Sequence, residues 1–136
     1  MEKDSSQTSA IKDMLIRYYA DMSQRDWKKY RSYFWDSETI ATVWQKPGDK
    51  TEKVNIITVD EFIRQTPNGP DSKTIFGENM TSYKIKMEGS LAAVWTEYKA
   101  RFGAKESLME WKGKDLFSLM RHRNQWKIVS LSFARN

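Results

Sequence analysis

The run from Leu91 to Phe102 alternates apolar and polar side chains, and this feature most restricts what the chain can fold into. A period of two is typical of a half-buried β-strand. One face carries Ala92, Val94, Thr96, Tyr98, Ala100 and Phe102, and the other carries Trp95, Glu97, Lys99 and Arg101. Because a strand this long is apolar on one face, its sheet needs a cover of helices or a second sheet.

Further strands are predicted on both sides of this run. β-branched and aromatic residues, alternation and turn signals place them at residues 39–45, 53–57, 82–87, 111 or 113 to 120, and 126–133. The segment His122-Arg123-Asn124-Gln125 is predicted to be the tip of the last hairpin. The second half of the chain is therefore predicted to be all β.

The first third of the chain supplies the cover. Helical spacing places Ile11, Met14, Leu15, Tyr18 and Met22 on one apolar stripe, in a helix capped at Thr8 or Ser9.

Two shorter helices are predicted after it. Asp26 caps the first of them, which carries Trp27, Tyr30 and Phe34 on one side. Thr58 and Glu61 form a capping box that begins the second.

These elements predict an α+β protein in which N-terminal helices pack on a strongly curved antiparallel sheet. We expect residues 1–8 to be a flexible N-terminal segment and residues 9–136 to be a single domain, since 136 residues is a usual length for one domain.

Composition excludes several classes of site and partner. The chain has no cysteine, which rules out disulfides, zinc–thiolate sites and cysteine nucleophiles. Its net charge of +5 is scattered among acidic residues, so we expect neither a nucleic-acid nor a membrane partner. Neither a membrane span nor a signal peptide is visible, which predicts a cytoplasmic protein and fits equally a mature exported chain.

Three stretches resemble the nuclear-transport-factor-2-like superfamily, which includes ketosteroid isomerases, SnoaL-like polyketide cyclases and dehydratases. They are residues 11–34, with Arg17-Tyr18-Tyr19-Ala20 and Asp26-Trp27; Ala92-Ala93-Val94-Trp95-Thr96; and residues 116–133. The resemblance implies a cone with an apolar cavity, and a homodimer formed through the sheet.

The resemblance also allows a test of ketosteroid isomerase chemistry, which needs a carboxylate base and two hydrogen-bond donors. The family's tyrosine falls on Tyr18, its base on Thr42 and its second donor on Ser118. Threonine cannot take up a proton at neutral pH. The sequence therefore leans against an enzyme of that type, and Tyr18 fits a core tyrosine better than a catalytic one.

Two other acids are weak catalytic candidates. Glu97 and Asp115 lie on predicted strands, although Glu97 shares its face with Lys99 and Arg101, which favours a solvated ladder of charges. His122, at the hairpin tip, is interpreted as a surface residue. We expect no metal and no cofactor.

By the same register, a set of side chains is predicted to line the cavity and bind the ligand. The set is Tyr18, Ile40, Thr42, Trp44, Leu116, Ser118 and Met120. Its apolar and hydroxyl-bearing character is usual for a small-molecule site. The alternative is that these side chains simply fill the centre of the fold.

Three functions remain open from the sequence. The first is a non-catalytic domain that binds a small apolar or aromatic molecule. The second is a SnoaL-like enzyme that acts on a carbonyl or polyketide-like compound through Tyr18 with Asp115 or Glu97. The third is a homodimeric interaction module in which Trp95 and Trp126 supply apolar patches.

Overall fold

The structure is a computed structural model that describes residues 2–44, 53–65 and 75–135, with side chains for residues 6–35, 56–64 and 75–133. The helices are α1 (Glu2–Ser23), α2 (Trp27–Ser32) and α3 (Val59–Gln65), with a 3₁₀ turn at Lys105–Ser107. The strands are β1 (Phe34–Trp44), β2 (Lys53–Thr58), β3 (Ile75–Glu88), β4 (Leu91–Gly103), β5 (Met109–His122) and β6 (Gln125–Arg135).

The six strands in these ranges form one sheet in the order β2–β1–β6–β5–β4–β3. Each neighbouring pair is antiparallel except β1 and β6, which run parallel. The sequence predicts an antiparallel sheet, and this prediction is wrong for the β1–β6 pair. The sheet is therefore mixed. The predicted α+β architecture, helices packed on a curved sheet, is confirmed.

Register shifts interrupt three of the strand pairs. They lie between Phe34 and Thr39, between Met80 and Ser82, and between Ser118 and Leu119. Extra residues on one strand of a pair bend it and increase its twist, so these irregularities help the sheet to curve around the helices.

The alternation predicted for β4 is confirmed. Its residues alternate between exposed and buried from Leu91 to Ala100, with Ala92, Val94, Thr96, Tyr98 and Ala100 pointing inward. The predicted stripe of α1 packs against this inner face, because Ile11, Leu15, Tyr18 and Met22 are all buried. The core thus lies between α1 and the inner face of the sheet.

A side-chain hydroxyl joins the end of α1 to the edge strand β3. The Glu78 backbone N–H donates to Ser23 Oγ at 2.8 Å, and Ser23 Oγ lies 2.9 Å from the Glu78 carbonyl oxygen, to which it can donate. Ser23 thus pairs backbone groups that an edge strand would otherwise leave to water. This contact sets the position of Glu78 relative to α1.

The predicted caps at Asp26 and Thr58 are confirmed, and two element boundaries differ. Asp26 accepts from the Lys29 N–H at 3.3 Å, and Thr58 accepts from the Glu61 N–H at 3.0 Å. However, α2 ends before Phe34, which opens β1 opposite Ile128.

The first helix also begins earlier than predicted, at Glu2. Gln7 Oε1 accepts a hydrogen bond of 2.8 Å from Trp126 Nε1. The flexibility of residues 1–8 stays a prediction.

The last hairpin has the predicted tip. Arg123 and Asn124 both have positive φ, 52° and 63°, as a two-residue turn between twisted strands requires. His122 is exposed beside it, as expected. Within the described ranges, none of the helices has the length and apolar character needed to cross a membrane.

Candidate functional site

A cavity of about 180 Å³ lies between the helices and the inner face of the sheet. Six aromatic rings contribute to its wall: Tyr18, Phe62, Phe76, Tyr98, Trp111 and Phe133. Met22 and Leu131 add apolar surface, and Glu78 and Asp115 add two carboxyl groups. The site is thus an aromatic chamber with two acids.

The shape of one wall depends on a glycine. Tyr98 on β4 lies directly opposite Gly113 on β5. A Cβ atom at position 113 would come within 2.3 Å of the Tyr98 hydroxyl oxygen, closer than any real contact. Glycine therefore allows the Tyr98 ring to lie against the sheet and leaves the cavity open.

Asp115 is buried at the junction of the sheet and α1. It lies opposite Thr96 on β4 and Phe133 on β6, with 4% of its surface exposed. The Tyr19 hydroxyl donates to Asp115 Oδ2 and also lies 2.6 Å from Thr96 Oγ1. Since a phenol has one proton, Thr96 donates to Tyr19, and a chain of two hydrogen bonds ends on the carboxyl.

Burial changes the proton affinity of Asp115. It raises the pKa of this carboxyl from 3.8 to about 7, because removal from water penalises the charged form. The hydrogen bond from Tyr19 acts in the opposite direction and is the weaker effect. Asp115 can therefore exist both as an acid and as a carboxylate near neutral pH.

Glu78 is the second acid of the cavity. It lies opposite the buried Ala100, with its backbone held by Ser23. Burial, and after it the charge of Asp115, raise the pKa of Glu78 well above its ordinary value of 4.5. Among the described residues, no hydrogen-bond donor or cation meets the Glu78 carboxyl group. The two acids therefore oppose each other's ionisation.

Tyr18 reaches the cavity from α1, as its place on the apolar stripe predicts. Its hydroxyl lies 3.4 Å from that of Tyr30, and its ring packs edge-on against Tyr19 and Phe117, with centroids 5.0 and 5.3 Å apart. Burial raises the pKa of the Tyr18 phenol well above 10, so this group stays protonated. It can act as a hydrogen-bond donor and as an aromatic wall.

Of the predicted site residues, the structure brings Tyr18 and Asp115 together at the cavity. Glu97 is exposed on the outer face of β4, so it cannot act in the cavity. The backbones of Ile40, Thr42 and Trp44 lie in β1, but their side chains are outside the described residues.

The predicted inward register of β5 is wrong by one residue. Leu116, Ser118 and Met120 lie on the outer face, where Met120 is 43% exposed, while Asp115, Phe117 and Leu119 point inward. The alternation of β5 itself is unbroken at its register shift with β6, because the extra residue of that shift, Val129, lies on β6. Ungapped counting back from Lys127–Val129 against the family pattern is one residue off, and an offset of one residue reverses the face of a strand.

Sequence reasoning missed Glu78 and Tyr19. Glu78 belongs to the first part of β3, which begins at Ile75 and not near Ser82 as predicted. A signal was available, because Phe76 and Met80 alternate around Glu78 and place an acid among inward positions. In the described part of the chain, no three His, Asp or Glu side chains come together as a metal site.

We predict that the free energy of unfolding falls as the pH rises from about 4 to about 7. In the folded protein Asp115 keeps its proton up to about pH 7, whereas in the unfolded chain it loses it near 3.8. The protonated carboxyl therefore contributes its full stabilisation below the pKa that Asp115 has in the unfolded chain, and this stabilisation is lost as the pH rises through its pKa in the folded protein. The free energy of unfolding should change by an amount on the order of a few kcal/mol. Asp115→Asn should flatten this part of the profile, measured by urea unfolding between pH 4 and 8.

A carboxyl removed elsewhere serves as the control. Glu97→Gln, on the outer face of β4, should retain the pH dependence of the parent protein. A variant Asp115→Asn whose slope equals that of the parent would show that Asp115 is not the group responsible.

Comparison with known proteins gives a family and a fold. Residues 6–134 match the protein family described as "Putative lumazine-binding". No curated protein matches the sequence.

Three solved structures illustrate the fold. A "Putative Scytalone Dehydratase" from Novosphingobium aromaticivorans has a TM-score of 0.76 at 12% identity, over 99% of this chain and 87% of that one. A "putative dehydratase" of nuclear-transport-factor-2-like type from Streptomyces avermitilis has a TM-score of 0.74 at 14% identity, over 98% of both chains. A nuclear-transport-factor-2-like protein of unknown function from Shewanella baltica has a TM-score of 0.67 at 17% identity, over 97% of this chain and 95% of that one.

At these identities the solved structures establish the fold alone. The family match covers nearly the whole sequence and agrees with that fold. The chain belongs to the lumazine-binding-like family and, with it, to the nuclear-transport-factor-2-like superfamily.

Proposed function

We propose that this protein binds a small aromatic molecule in the cavity between α1 and the sheet. The observation that carries the proposal is the aromatic chamber, in which six rings surround about 180 Å³ of space. Flat rings stack on or pack edge-to-face with aromatic side chains, gaining energy beyond the area they bury. A pocket that is mainly apolar, with a few polar groups, is the usual form of a small-molecule site.

The size of the cavity limits the ligand. A cavity of about 150 Å³ can hold a benzene molecule, and sites for drug-sized ligands span about 300–1,000 Å³. At about 180 Å³, this one suits a molecule of one or two rings. The description of the family names lumazine, which is a flat two-ring heterocycle and therefore a reasonable first probe.

Lumazine should bind the parent protein in isothermal titration calorimetry, and a larger ring in the cavity should weaken the binding. Phe76→Trp enlarges a half-buried side chain of the wall, and overpacking of this kind costs about 1–3 kcal/mol, so we expect affinity to fall by about tenfold or more. Tyr83→Trp changes an exposed aromatic residue on the same strand, outside the wall, and should leave affinity unchanged. Equal loss in both variants would contradict a site in the cavity.

A second candidate function is catalysis on a carbonyl compound, and Asp115 is the observation that favours it. A carboxyl group with a pKa of about 7 can donate or accept a proton at neutral pH, and it lines the same cavity as the Tyr18 ring. A protonated Asp can donate a hydrogen bond to a carbonyl oxygen as negative charge develops there. Of the two acids that the sequence offers for this function, Asp115 is the candidate, because Glu97 lies on the outer face.

The enzyme hypothesis predicts proton exchange next to a carbonyl group. A small cyclic enone in deuterated buffer should exchange its α-protons faster with the protein than without it, as followed by proton NMR. Asp115→Asn should reduce the catalysed rate by about a hundredfold or more, and the rate should change with an apparent pKa near 7. Exchange that is equal in both proteins, or equal to the buffer rate, would leave only the binding function.

We also propose that the outer face of the sheet pairs two copies of the chain. Leu91 lies opposite Met120, and Trp95 lies opposite Leu116, so they form one patch across β4 and β5. Leu91, Trp95 and Met120 are 56%, 52% and 43% exposed, and an exposed contiguous apolar patch commonly marks an interface. A two-fold axis through the patch would bring it against itself. Trp126 takes no part, because it is buried.

A dimer formed in this way should depend on Trp95. In sedimentation equilibrium, Trp95→Lys should shift the protein to monomer. Ile16→Lys, which changes an exposed apolar side chain on α1, should remain dimeric. A parent protein that is monomeric at high concentration would refute the proposal.

A further inference from the structure

The ionisable side chains with a possible charge near neutral pH in the described wall of the cavity are both acidic. Glu78 and Asp115 both line it, and the described residues of the wall include no lysine, arginine or histidine. Each aromatic ring adds a negative face, to which cations are attracted. The chamber is thus built from groups that favour positive charge and disfavour negative charge.

The neighbouring elements supply little positive charge to offset the acids. From the helices, Tyr18, Tyr19 and Tyr30 face the carboxyl groups, and all three phenols stay protonated because their pKa values are raised. On β4 the titratable group of the wall is Tyr98. The described parts of α3 and β6 contribute Phe62, Leu131 and Phe133 to the wall, none of which carries a charge.

One cation lies at the edge of the site. The Arg25 guanidinium packs over the Phe76 ring, 5.8 Å from its centroid. Phe76 also lines the cavity, so the same ring contacts a cation and contributes to the wall. This contact is an instance within the molecule of the attraction that we ascribe to the chamber.

The acids are held in place by different contacts. Asp115 Oδ2 accepts from Tyr19, which leaves the second oxygen of this carboxyl without a hydrogen bond among the described residues. The Glu78 side chain makes no hydrogen bond or ion pair there, although its backbone is fixed on both sides by Ser23. Both carboxyl groups therefore have oxygen atoms available to a bound molecule.

We propose that the cavity selects an aromatic ligand that carries a positively charged or N–H-donating nitrogen beside its ring, such as an amidine or an amino-substituted heterocycle, and rejects carboxylates. The inference rests on the proposed binding function and specifies its ligand class. N–H groups of such a ligand would donate charge-assisted hydrogen bonds to Glu78 and Asp115 while its ring lies among the aromatic side chains.

The empty and filled sites would differ in protonation. Without a ligand, burial and mutual repulsion favour protons on the two acids. A cation in the cavity would stabilise the ionised forms, so its binding would release protons near neutral pH. Cation affinity should therefore rise with pH through about 7, because fewer protons have to be displaced.

Three probes of nearly equal shape test the inference: benzamidine, which is a cation, benzamide, which is neutral, and benzoate, which is an anion. At pH 8 we expect benzamidine to bind the parent protein at least about tenfold more tightly than benzamide, with benzoate the weakest, as measured by isothermal titration calorimetry. The preference for benzamidine should decrease at pH 5. Titration at pH 7 in two buffers of different ionisation enthalpy should show proton release.

Variants separate the charge from the cavity. Glu78→Gln keeps the shape of the side chain and should lower benzamidine affinity by about tenfold while changing benzamide affinity by less than about twofold. Glu97→Gln, on the outer face of β4, should change neither. Circular dichroism confirms that each variant is folded, and the pH dependence of the parent protein provides the same test without any substitution.

The outcomes distinguish the two proposals. If benzamide binds as tightly as benzamidine at pH 8, or if Glu78→Gln leaves the preference intact, the charge inference is wrong and the binding function stands. If none of the three probes nor lumazine binds, the binding function fails and the inference fails with it.

Discussion

The hydrogen bond from Tyr19 to Asp115 is the contact on which the rest of the site depends. It joins α1 to the inner face of β5, and Thr96 on β4 completes it. A helix that packs only through apolar side chains can rotate or slide at little cost, whereas a buried hydrogen bond has one good geometry. Together with the Ser23–Glu78 contact one turn further along the same side of α1, it sets the distance between the helix and the sheet. That distance decides whether a cavity remains between them.

The same contact shows why both tyrosines of the Arg17-Tyr18-Tyr19 segment are buried. Tyr18 lies on the apolar stripe and packs among aromatic rings, while Tyr19 faces the strands that carry Asp115 and Thr96. Adjacent positions on a helix are about 100° apart, so both can be inside only if the sheet wraps around the helix. The curvature of the sheet is therefore a condition for this hydrogen bond.

Local features were predictable from the sequence, and features that depend on pairing were not. The stripe of α1, the alternation of β4 and the caps at Asp26 and Thr58 each follow from residues a few positions apart. The inward face of β5 was assigned by counting residues from the neighbouring strand β6, and that count was one residue off. Because the side-chain period of a strand is two, an offset of one residue reverses every assignment along it.

The role of Glu78 was hidden for a related reason. An acid on a short alternating run is usually exposed, and the partial burial of Glu78 comes from the approach of α1, which binds its backbone through Ser23. Asp115 was visible as a candidate, but its raised pKa depends on the depth of burial, which no local pattern gives. Sequence reasoning thus found one of the two acids and could not assign the environment of either.

The cavity itself is a consequence of small and large residues placed opposite each other. Ala100 lies opposite Glu78 on one side and Trp111 on the other, and Gly113 lies opposite Tyr98. Small side chains in the centre of the sheet leave space that the large rings surround but do not fill. Apolar residues at positions 78 and 115 would narrow this space and would spare the protein the cost of removing a buried and a half-buried carboxyl group from water. Asp115 anchors α1 through Tyr19, but the Glu78 carboxyl makes no hydrogen bond among the described residues. The presence of Glu78 at the wall therefore fits the proposed bound molecule better than a role in folding.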